Sequence, residues 1–470
     1  MSEIDRRTIL AGTTALSAAA LMPQGAMAQA PRPSAALPAR GEFVIRGAYV
    51  LSMDAGIGDL PTGDVHVKDG VIVAVAKDIK TPARAIDGKG MICMPGLIDT
   101  HWHHWTNILR PFMRWDDPQQ KSYFPITFKY GPHYTPDTGY RSVRLGVAEA
   151  LASGITTTGN WCHNVRSPAY ADAEIQAMLD MGIRGRFAYG NPVGYPNDKK
   201  IDLADIARAK KDWQGKDGRM LLAMNSRGVD NAFASSRGAI GPEMAKEEWA
   251  AVRKMELPIT MHTSGIGGVK VLNDNGLLGP DVQLIHPLNT TEEERAALAK
   301  NKVTYSTSPI GEARRPAPIQ FVEMLEAGIP MSLSIDHITT FNADMFTNMR
   351  VLATVSQQRV QAKYKFTSKQ MVEMATMGGA FDLKIADKVG SLKPGKRADI
   401  ILVRMTDVNM APVGDPYDAL VTFAHPGNVD TVIVDGRILR QKGQFNGINH
   451  AKIMADASDE LEKLKSKAGS

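Results

Sequence analysis

The segment 94-MPGLIDTHWH-103 combines a Pro-Gly turn, a short apolar strand and two histidines on alternate positions. Alternate side chains of a strand point to the same face, so His101 and His103 can present both imidazoles to one metal ion. His104 points elsewhere if the strand continues, which predicts a structural or supporting role. A lone His-x-His pair is a weak signal, and it needs support from residues elsewhere in the chain.

Three more candidate ligands stand at the ends of later apolar runs. His262 closes Ile-Thr-Met-His, His286 closes Leu-Ile-His and Asp336 closes Leu-Ser-Ile-Asp. Eight such runs alternate with helical periodicity, and they end near His101, Trp161, Gly190, Ser226, His262, His286, Thr307 and Asp336. This alternation over about 250 residues predicts a (β/α)8 TIM-like barrel, whose chemistry sits at the carboxyl ends of its strands. A metal site is therefore predicted at that end of the barrel.

Short β-type runs with Gly and Asp turns lie on both sides of the barrel region, as in residues 64–75 and 429–436. We expect the two ends of the chain to share one small β-sandwich domain, built from residues 42–94 and 389–445. The barrel then spans residues 95–388, and residues 446–470 form a terminal helix.

The amino terminus has the order of an export signal. Arg6 and Arg7 precede a small, apolar run, and Ala26-Met27-Ala28 resembles a cleavage site. The paired arginines followed by Ile9-Leu10 predict a twin-arginine signal over residues 1–28, read by the twin-arginine export machinery, although Ile9 replaces the usual phenylalanine. An ordinary secretory signal is the alternative. A Pro- and Ala-rich linker follows at 29–41, and the expected location is a bacterial periplasm.

Composition excludes several classes of protein. The 470 residues contain 55 Lys and Arg against 50 Asp and Glu, without basic runs, so no nucleic-acid partner is expected. No later apolar stretch approaches the roughly 20 residues of a membrane span. Cys93 and Cys162 allow one disulfide at most, which excludes a disulfide scaffold and a cysteine-rich zinc module. The expected partner is a small-molecule substrate, and a homo-oligomer is left open.

These segments, together with the closing run 390-GSLKPGKRAD-399, resemble the amidohydrolase superfamily, in its chlorohydrolase, guanine deaminase and hydroxyatrazine-hydrolase-like branch. The resemblance covers roughly residues 43–443. It implies one divalent metal, with zinc favoured over iron or manganese by ligand type. The implied ligands are His101, His103, His262 and Asp336. The strand-four end reads Met-Asn-Ser at 224–226, without the bridging lysine of two-metal relatives, which favours a mononuclear site.

The resemblance also implies catalytic roles. Asp336 passes a proton from the metal-activated water to the leaving group, and His286 stabilises the developing oxyanion. Deaminating and dechlorinating relatives usually carry Glu three residues after the strand-five histidine, where this chain has Gly265. Glu312, on the loop after strand seven, is a candidate replacement for that acid. The alternative is a solvated loop carboxylate paired with Arg314 or Arg315.

Aromatic residues near the strand ends are candidates for the substrate pocket. Trp102, Trp105, Trp161 and His163 are predicted to bind substrate, although each of these side chains can also serve only in packing. Cys162 is interpreted as a small packing residue, and His337 as a group that supports Asp336.

Three functions remain as hypotheses. The leading one is metal-dependent hydrolysis of an amide, carbamate, urea or similar C–N bond in a small molecule. The second is deamination or dechlorination of an N-heterocycle, which the absence of Glu after His262 disfavours. The third is a non-catalytic periplasmic protein that binds a metal or ligand.

Overall fold

The computed structural model describes residues 36–114, 116–117, 119–229, 238–315, 319–358 and 366–469. The predicted signal at 1–28 and the first part of the linker lie outside the described residues. Strands β1 to β17 follow in chain order: Phe43–Leu51, Asp59–Lys68, Val71–Ala76, Arg84–Asp87, Met91–Pro95, Leu97–Trp102, Ile155–Cys162, Arg184–Tyr189, Met220–Ser226, Ile259–His262, Val282–Ile285, Thr304–Thr307, Met331–Leu333, Ile400–Arg404, Val429–Val434, Arg437–Gln441 and Gln444–Phe445.

Helices connect most of the central strands. Helices α1 to α14 are Tyr123–Tyr130, Pro136–Ala152, Pro168–Asp180, Leu203–Trp213, Pro242–Lys254, Gly268–Asp274, Glu292–Lys300, Pro309–Glu312, Phe321–Glu326, Met345–Gln357, Ser368–Glu373, Gly379–Asp382, Pro416–Thr422 and His450–Lys467. A 3-10 helix, His104–Phe112, follows β6. Polar N-cap residues determine where several helices begin. Thr135 caps α2 and Thr291 caps α7, and each forms a capping box that satisfies otherwise unpaired backbone N–H groups.

Strands β6 to β13 form a parallel sheet in sequence order, which confirms the predicted barrel. The first and last strands meet at the metal-site residues, where the backbone N–H of His103 donates to the carbonyl of Asp336 (2.7 Å) and that of Asp336 donates to His101 (2.9 Å). Seven strands end within one residue of the predicted positions. The eighth, β13, ends at Leu333, so Asp336 lies on the loop just beyond it.

The remaining strands form one sheet that joins both ends of the chain. Its order is β17-β16-β15-β14-β5-β1-β2-β3, and β4 pairs with β1. Ile45 and Val65 from the first part of the chain share a buried core with Ile400 and Ile433 from the last part. This confirms the expected small β domain of composite origin, as one continuous hydrogen-bonded sheet.

A buried ion pair ties this sheet to the barrel. Arg184 of β8 donates to Asp399 at 2.7 Å, and its guanidinium lies 3.4 Å from Asp435. All three side chains are almost fully buried, and Asp399 is the final residue of the closing run at 390–399. The carboxylates offset the cost of burying the arginine. Within the described ranges, no helix has the length and apolar character needed to cross a bilayer.

Candidate metal centre

Four side chains converge at the carboxyl end of the barrel. One potential ligand atom each from His101, His103, His262 and Asp336 lies within 4.8 Å of the other three. His101 and His103 come from β6, His262 ends β10, and Asp336 follows β13. Three of these side chains are buried and His262 is partly buried. The structure therefore brings the four predicted metal ligands together.

The hydrogen bonds around the imidazoles leave nitrogen atoms free to bind metal. Nδ1 of His103 lies 3.1 Å from the backbone carbonyl of Trp161, which makes that nitrogen the donor and turns Nε2 inward. Both ring nitrogens of His101 are buried and have no hydrogen-bond partner in the described part of the chain. A buried polar atom without a partner is costly, and a cation would satisfy it. Three imidazoles with one carboxylate suit a divalent metal such as zinc.

The electrostatics of the site keep the ligands in their metal-binding forms. Burial lowers the pKa of His101 to about 4, and it lowers the pKa values of His103 and His262 well below the usual range. These imidazoles are therefore neutral at pH 7. Burial alone would raise the pKa of Asp336, but His286 and His337 outweigh it and hold that pKa well below its usual value.

Two residues at the site have left-handed backbone conformations. The φ angles are 50° for His286 and 67° for Asp336. Such angles are unfavourable for residues other than glycine and are concentrated at functional sites. Here they turn the chain at the ends of β11 and β13 next to the metal-binding cluster, where Nε2 of His286 lies 3.5 Å from Oδ2 of Asp336.

Glu312 lies directly behind His286. Its Oε1 accepts hydrogen bonds from Nδ1 of His286 (2.8 Å) and the backbone N–H of Ser308 (2.9 Å). Its Oε2 accepts from the hydroxyls of Tyr305 (3.0 Å) and Thr307 (2.9 Å). The side chain is fully buried, so it is not the exposed partner of Arg314 or Arg315 that the alternative interpretation describes.

The charges of this pair reinforce each other. Burial alone would lower the pKa of His286, but the neighbouring Asp336 and Glu312 carboxylates raise it above its usual value. Burial alone would raise the pKa of Glu312, but His286 and the surrounding donors lower it. Both neighbouring carboxylates therefore favour the protonated form of the His286 ring.

Trp161 and His163 lie beside the ligands, as the pocket prediction requires. The Trp161 ring packs edge-on against His262, with centroids 4.2 Å apart. The ring centroids of His163 and His103 lie 4.7 Å apart. Nε2 of His163 is 2.9 Å from the hydroxyl of Tyr123. The Tyr123 ring also lies 5.3 Å from that of His103. Tyr123 belongs to α1, which carries no recognisable motif, and the sequence did not reveal it.

Trp102 lies away from the metal, which corrects the prediction that it binds substrate. Side chains alternate along β6, so Trp102 points to the opposite face from His101. Its indole donates to Asn107 at 3.0 Å, and its ring stacks on His104. Trp105 is fully buried, and its ring packs edge-on against that of His163, with centroids 5.1 Å apart. Its role in the substrate pocket stays a prediction.

The remaining histidines and cysteines that the sequence analysis named lie outside the four-residue ligand cluster. His104 lies 2.8 Å from the hydroxyl of Thr158 and is outside the ligand cluster. His337 stays near Asp336, at 4.0 Å, and its Nδ1 lies 2.6 Å from the hydroxyl of Thr339. Cys162 and Cys93 are buried and free, so the two cysteines form no disulfide.

Comparison with known proteins places the chain in a family. A model of the amidohydrolase family matches residues 92–439. The chain belongs to the amidohydrolase family. Membership in this family, together with the buried ligand cluster, identifies a metal-dependent hydrolase that acts on C–N bonds other than peptide bonds. A purely metal- or ligand-binding protein is not favoured.

Similar amidohydrolases and solved structures cover almost the whole chain. The 5'-deoxyadenosine deaminase of Methanosarcina mazei is 28% identical over an alignment of 446 positions that covers 91% of this chain and 100% of that protein. The 5-methylthioadenosine/S-adenosylhomocysteine deaminase of Nitratidesulfovibrio vulgaris is 26% identical over 91% of this chain and 99% of its own length. A zinc-bound adenosine deaminase from Xanthomonas campestris superposes with a TM-score of 0.79 at 19% identity, over 91% of this chain and 100% of that one. Atrazine chlorohydrolase of Arthrobacter aurescens, complexed with zinc, gives 0.75 at 22% identity, over 89% and 100%.

Proposed function

We propose that this amidohydrolase cleaves the C–N bond of an amide, carbamate or urea in a small molecule. The observation that carries the proposal is which carboxylate at the metal site is available to transfer a proton. Both oxygens of Glu312 are occupied by four donors, and the position three residues after His262 is Gly265. Asp336 is therefore the carboxylate that faces the reacting space with capacity to move a proton. Hydrolysis at a carbonyl-type carbon needs no second acid, because such a substrate has no ring nitrogen to protonate.

Asp336 and His286 divide the chemical work in this proposal. A divalent metal held by the four ligands, which we propose to be zinc, would supply Lewis acidity and would lower the pKa of a water to about 7. Asp336 accepts a proton from the attacking water and delivers it to the departing nitrogen. His286 donates from Nε2 to the substrate oxygen as negative charge develops there, while its Nδ1 stays bonded to Glu312. Trp161, His163 and Tyr123 enclose the reacting group.

A substrate panel tests this assignment. The zinc-loaded protein should release an amine from members of an amide, carbamate and urea series. Aminoheterocycles of similar size serve as the matched comparison. Turnover confined to the aminoheterocycles, with release of ammonia, would replace the proposal with deamination.

Deamination of an N-heterocycle is retained as the second candidate because of the relatives. Deaminases of adenine nucleosides match at 25–28% identity over about nine-tenths of this chain. In that case a group other than Glu must donate a hydrogen bond to the ring nitrogen, and His163 and His337 are the candidates beside the metal site. Replacement of each by Phe would then abolish ammonia release, whereas hydrolysis of an acyl C–N bond would continue.

We propose further that the protein is exported by the twin-arginine route to a periplasm. The support is the order of the first 28 residues, from Arg6-Arg7 to Ala26-Met27-Ala28. Conversion of both arginines to lysine should leave folded, metal-loaded protein in the cytoplasm. Undiminished periplasmic accumulation of this double variant would exclude the route.

A further inference from the structure

Two arginines on the loop after β12 lack acidic partners among the described residues. Glu312 turns inward to His286, and neither Arg314 nor Arg315 forms an ion pair with any Asp or Glu of the described chain. Arg314 is exposed and Arg315 is half-buried. The pair follows directly after α8, on the loop beyond β12, and this loop lies on the catalytic face of the barrel.

This loop lies against the metal ligand Asp336. A Cβ atom on Gly311 would lie 3.3 Å from Oδ2 of Asp336 and 3.8 Å from the Phe341 ring, so the backbone here runs directly beside the carboxylate. Arg314 then donates from one terminal nitrogen to the hydroxyl of Thr340 at 2.6 Å. That bond joins the loops after β12 and β13 and fixes one end of the guanidinium.

Because Arg314 is bonded to Thr340, four residues after Asp336, the two arginines place positive charge beside the loop that carries this ligand. A bound divalent cation adds to this positive field, whereas Asp336 and Glu312 are the carboxylates in contact with the histidines of the site. An anionic group at the mouth would be stabilised there.

We propose that Arg314 and Arg315 bind a carboxylate of the substrate, at the end remote from the scissile bond. A guanidinium matches a carboxylate through two parallel N–H donors, and Arg314 keeps its remaining donors after the bond to Thr340. The substrate class is then an N-acyl, N-carbamoyl or related compound that carries an acid group. This inference rests on the proposed function, since it concerns the same pocket.

The test measures binding with a pair of ketones that cannot be hydrolysed. The probe 4-oxo-4-phenylbutanoate has a carboxylate, and butyrophenone has the same acyl carbon without it. Calorimetry on the zinc-loaded protein at low salt should give at least about tenfold tighter binding of the carboxylate. The double variant R314Q/R315Q should reduce this preference to less than about threefold, with metal content unchanged. Arg84→Gln removes one exposed arginine from β4 and should leave the preference intact.

The outcomes separate this inference from the proposed reaction. Equal binding of the two ketones by the wild-type protein, including binding of neither, would overturn the carboxylate site. An unchanged preference in the double variant would also overturn it, because the selectivity would then come from other groups. Failure of the protein to hydrolyse any amide would count against the proposed reaction and would leave the ketone comparison valid.

Discussion

Nδ1 of His286 lies 2.8 Å from Oε1 of Glu312, and both side chains are fully buried beside the metal-binding cluster. Through this contact a carboxylate whose oxygens are both hydrogen-bonded within the protein orients an imidazole that lies beside the metal ligand Asp336. The carboxylate fixes the imidazole with Nδ1 as a donor and leaves Nε2, which has no hydrogen-bond partner among the described residues, directed towards Asp336. Glu312 is thus best described as a positioning residue.

Glu312→Gln should lower kcat by about tenfold to a hundredfold while metal content stays at the wild-type level. The amide oxygen can still accept from His286 and Ser308, and the hydroxyls of Tyr305 and Thr307 can rotate to accept from the amide nitrogen. The variant loses the negative charge that favours protonation of the His286 ring. Steady-state kinetics and elemental analysis on the same preparation check this, and wild-type kcat in the variant would show that the contact is only structural.

Gly311→Ala should weaken metal binding. The added methyl would lie 3.3 Å from Oδ2 of Asp336, which is tighter than most such contacts, so the carboxylate would have to shift by a few tenths of an ångström. Because Asp336 must keep its position to bind the metal, the strain should appear as an approximately tenfold or greater rise in the metal dissociation constant. A chelator competition assay measures this, and Gly414→Ala, at a position with no neighbour within 4 Å of the new methyl, is the control. Equal affinity in both variants would contradict the geometry of the loop.

Glu174 should make stability depend on pH. Burial raises its pKa to about 7, from 4.5 for a free glutamate, although Asn160 and Cys162 donate hydrogen bonds to it. The folded state favours the neutral, protonated form of Glu174. The stabilisation that this gives is fully present below pH 4.5 and is lost as the pH rises through 7. Relative to the wild type, Glu174→Gln should therefore gain about 2 kcal/mol in free energy of unfolding between pH 5 and pH 8. Urea unfolding at both values tests this, and parallel pH dependences would refute it.

The barrel and its ligands could be predicted because they depend on local, repeated patterns. Four of the apolar runs ended in His or Asp, and parallel strands bring their carboxyl ends together, so His262 and Asp336 could be joined to His101 across 160 to 235 positions of sequence. The alternation of side chains along β6 also predicts that His103 and Trp102 point to opposite faces of the strand. Applied to Trp102 itself, the same alternation would have removed it from the predicted pocket.

The surroundings of the ligands could not be predicted in the same way. Glu312 is close in sequence to Arg314 and Arg315, but it contacts His286, which is 26 positions away in sequence. Only the folded loop after β12 determines which of these residues Glu312 contacts. Tyr123 reaches His163 from a helix that has no motif and no strand end to mark it. Such contacts depend on how connecting loops pack, and sequence periodicity does not record that.

The metal content of the purified protein tests the central claim most directly. We expect one tightly bound divalent metal per chain, with hydrolytic activity that rises in proportion to metal content on reconstitution. His262→Ala and Asp336→Ala should lose most of both, because each removes a ligand from a cluster whose members lie within 4.8 Å of one another. His104→Ala removes a neighbouring histidine that lies outside the cluster and should keep the metal. Two tightly bound equivalents, or full activity in the metal-free protein or in either ligand variant, would contradict a mononuclear metal-dependent hydrolase.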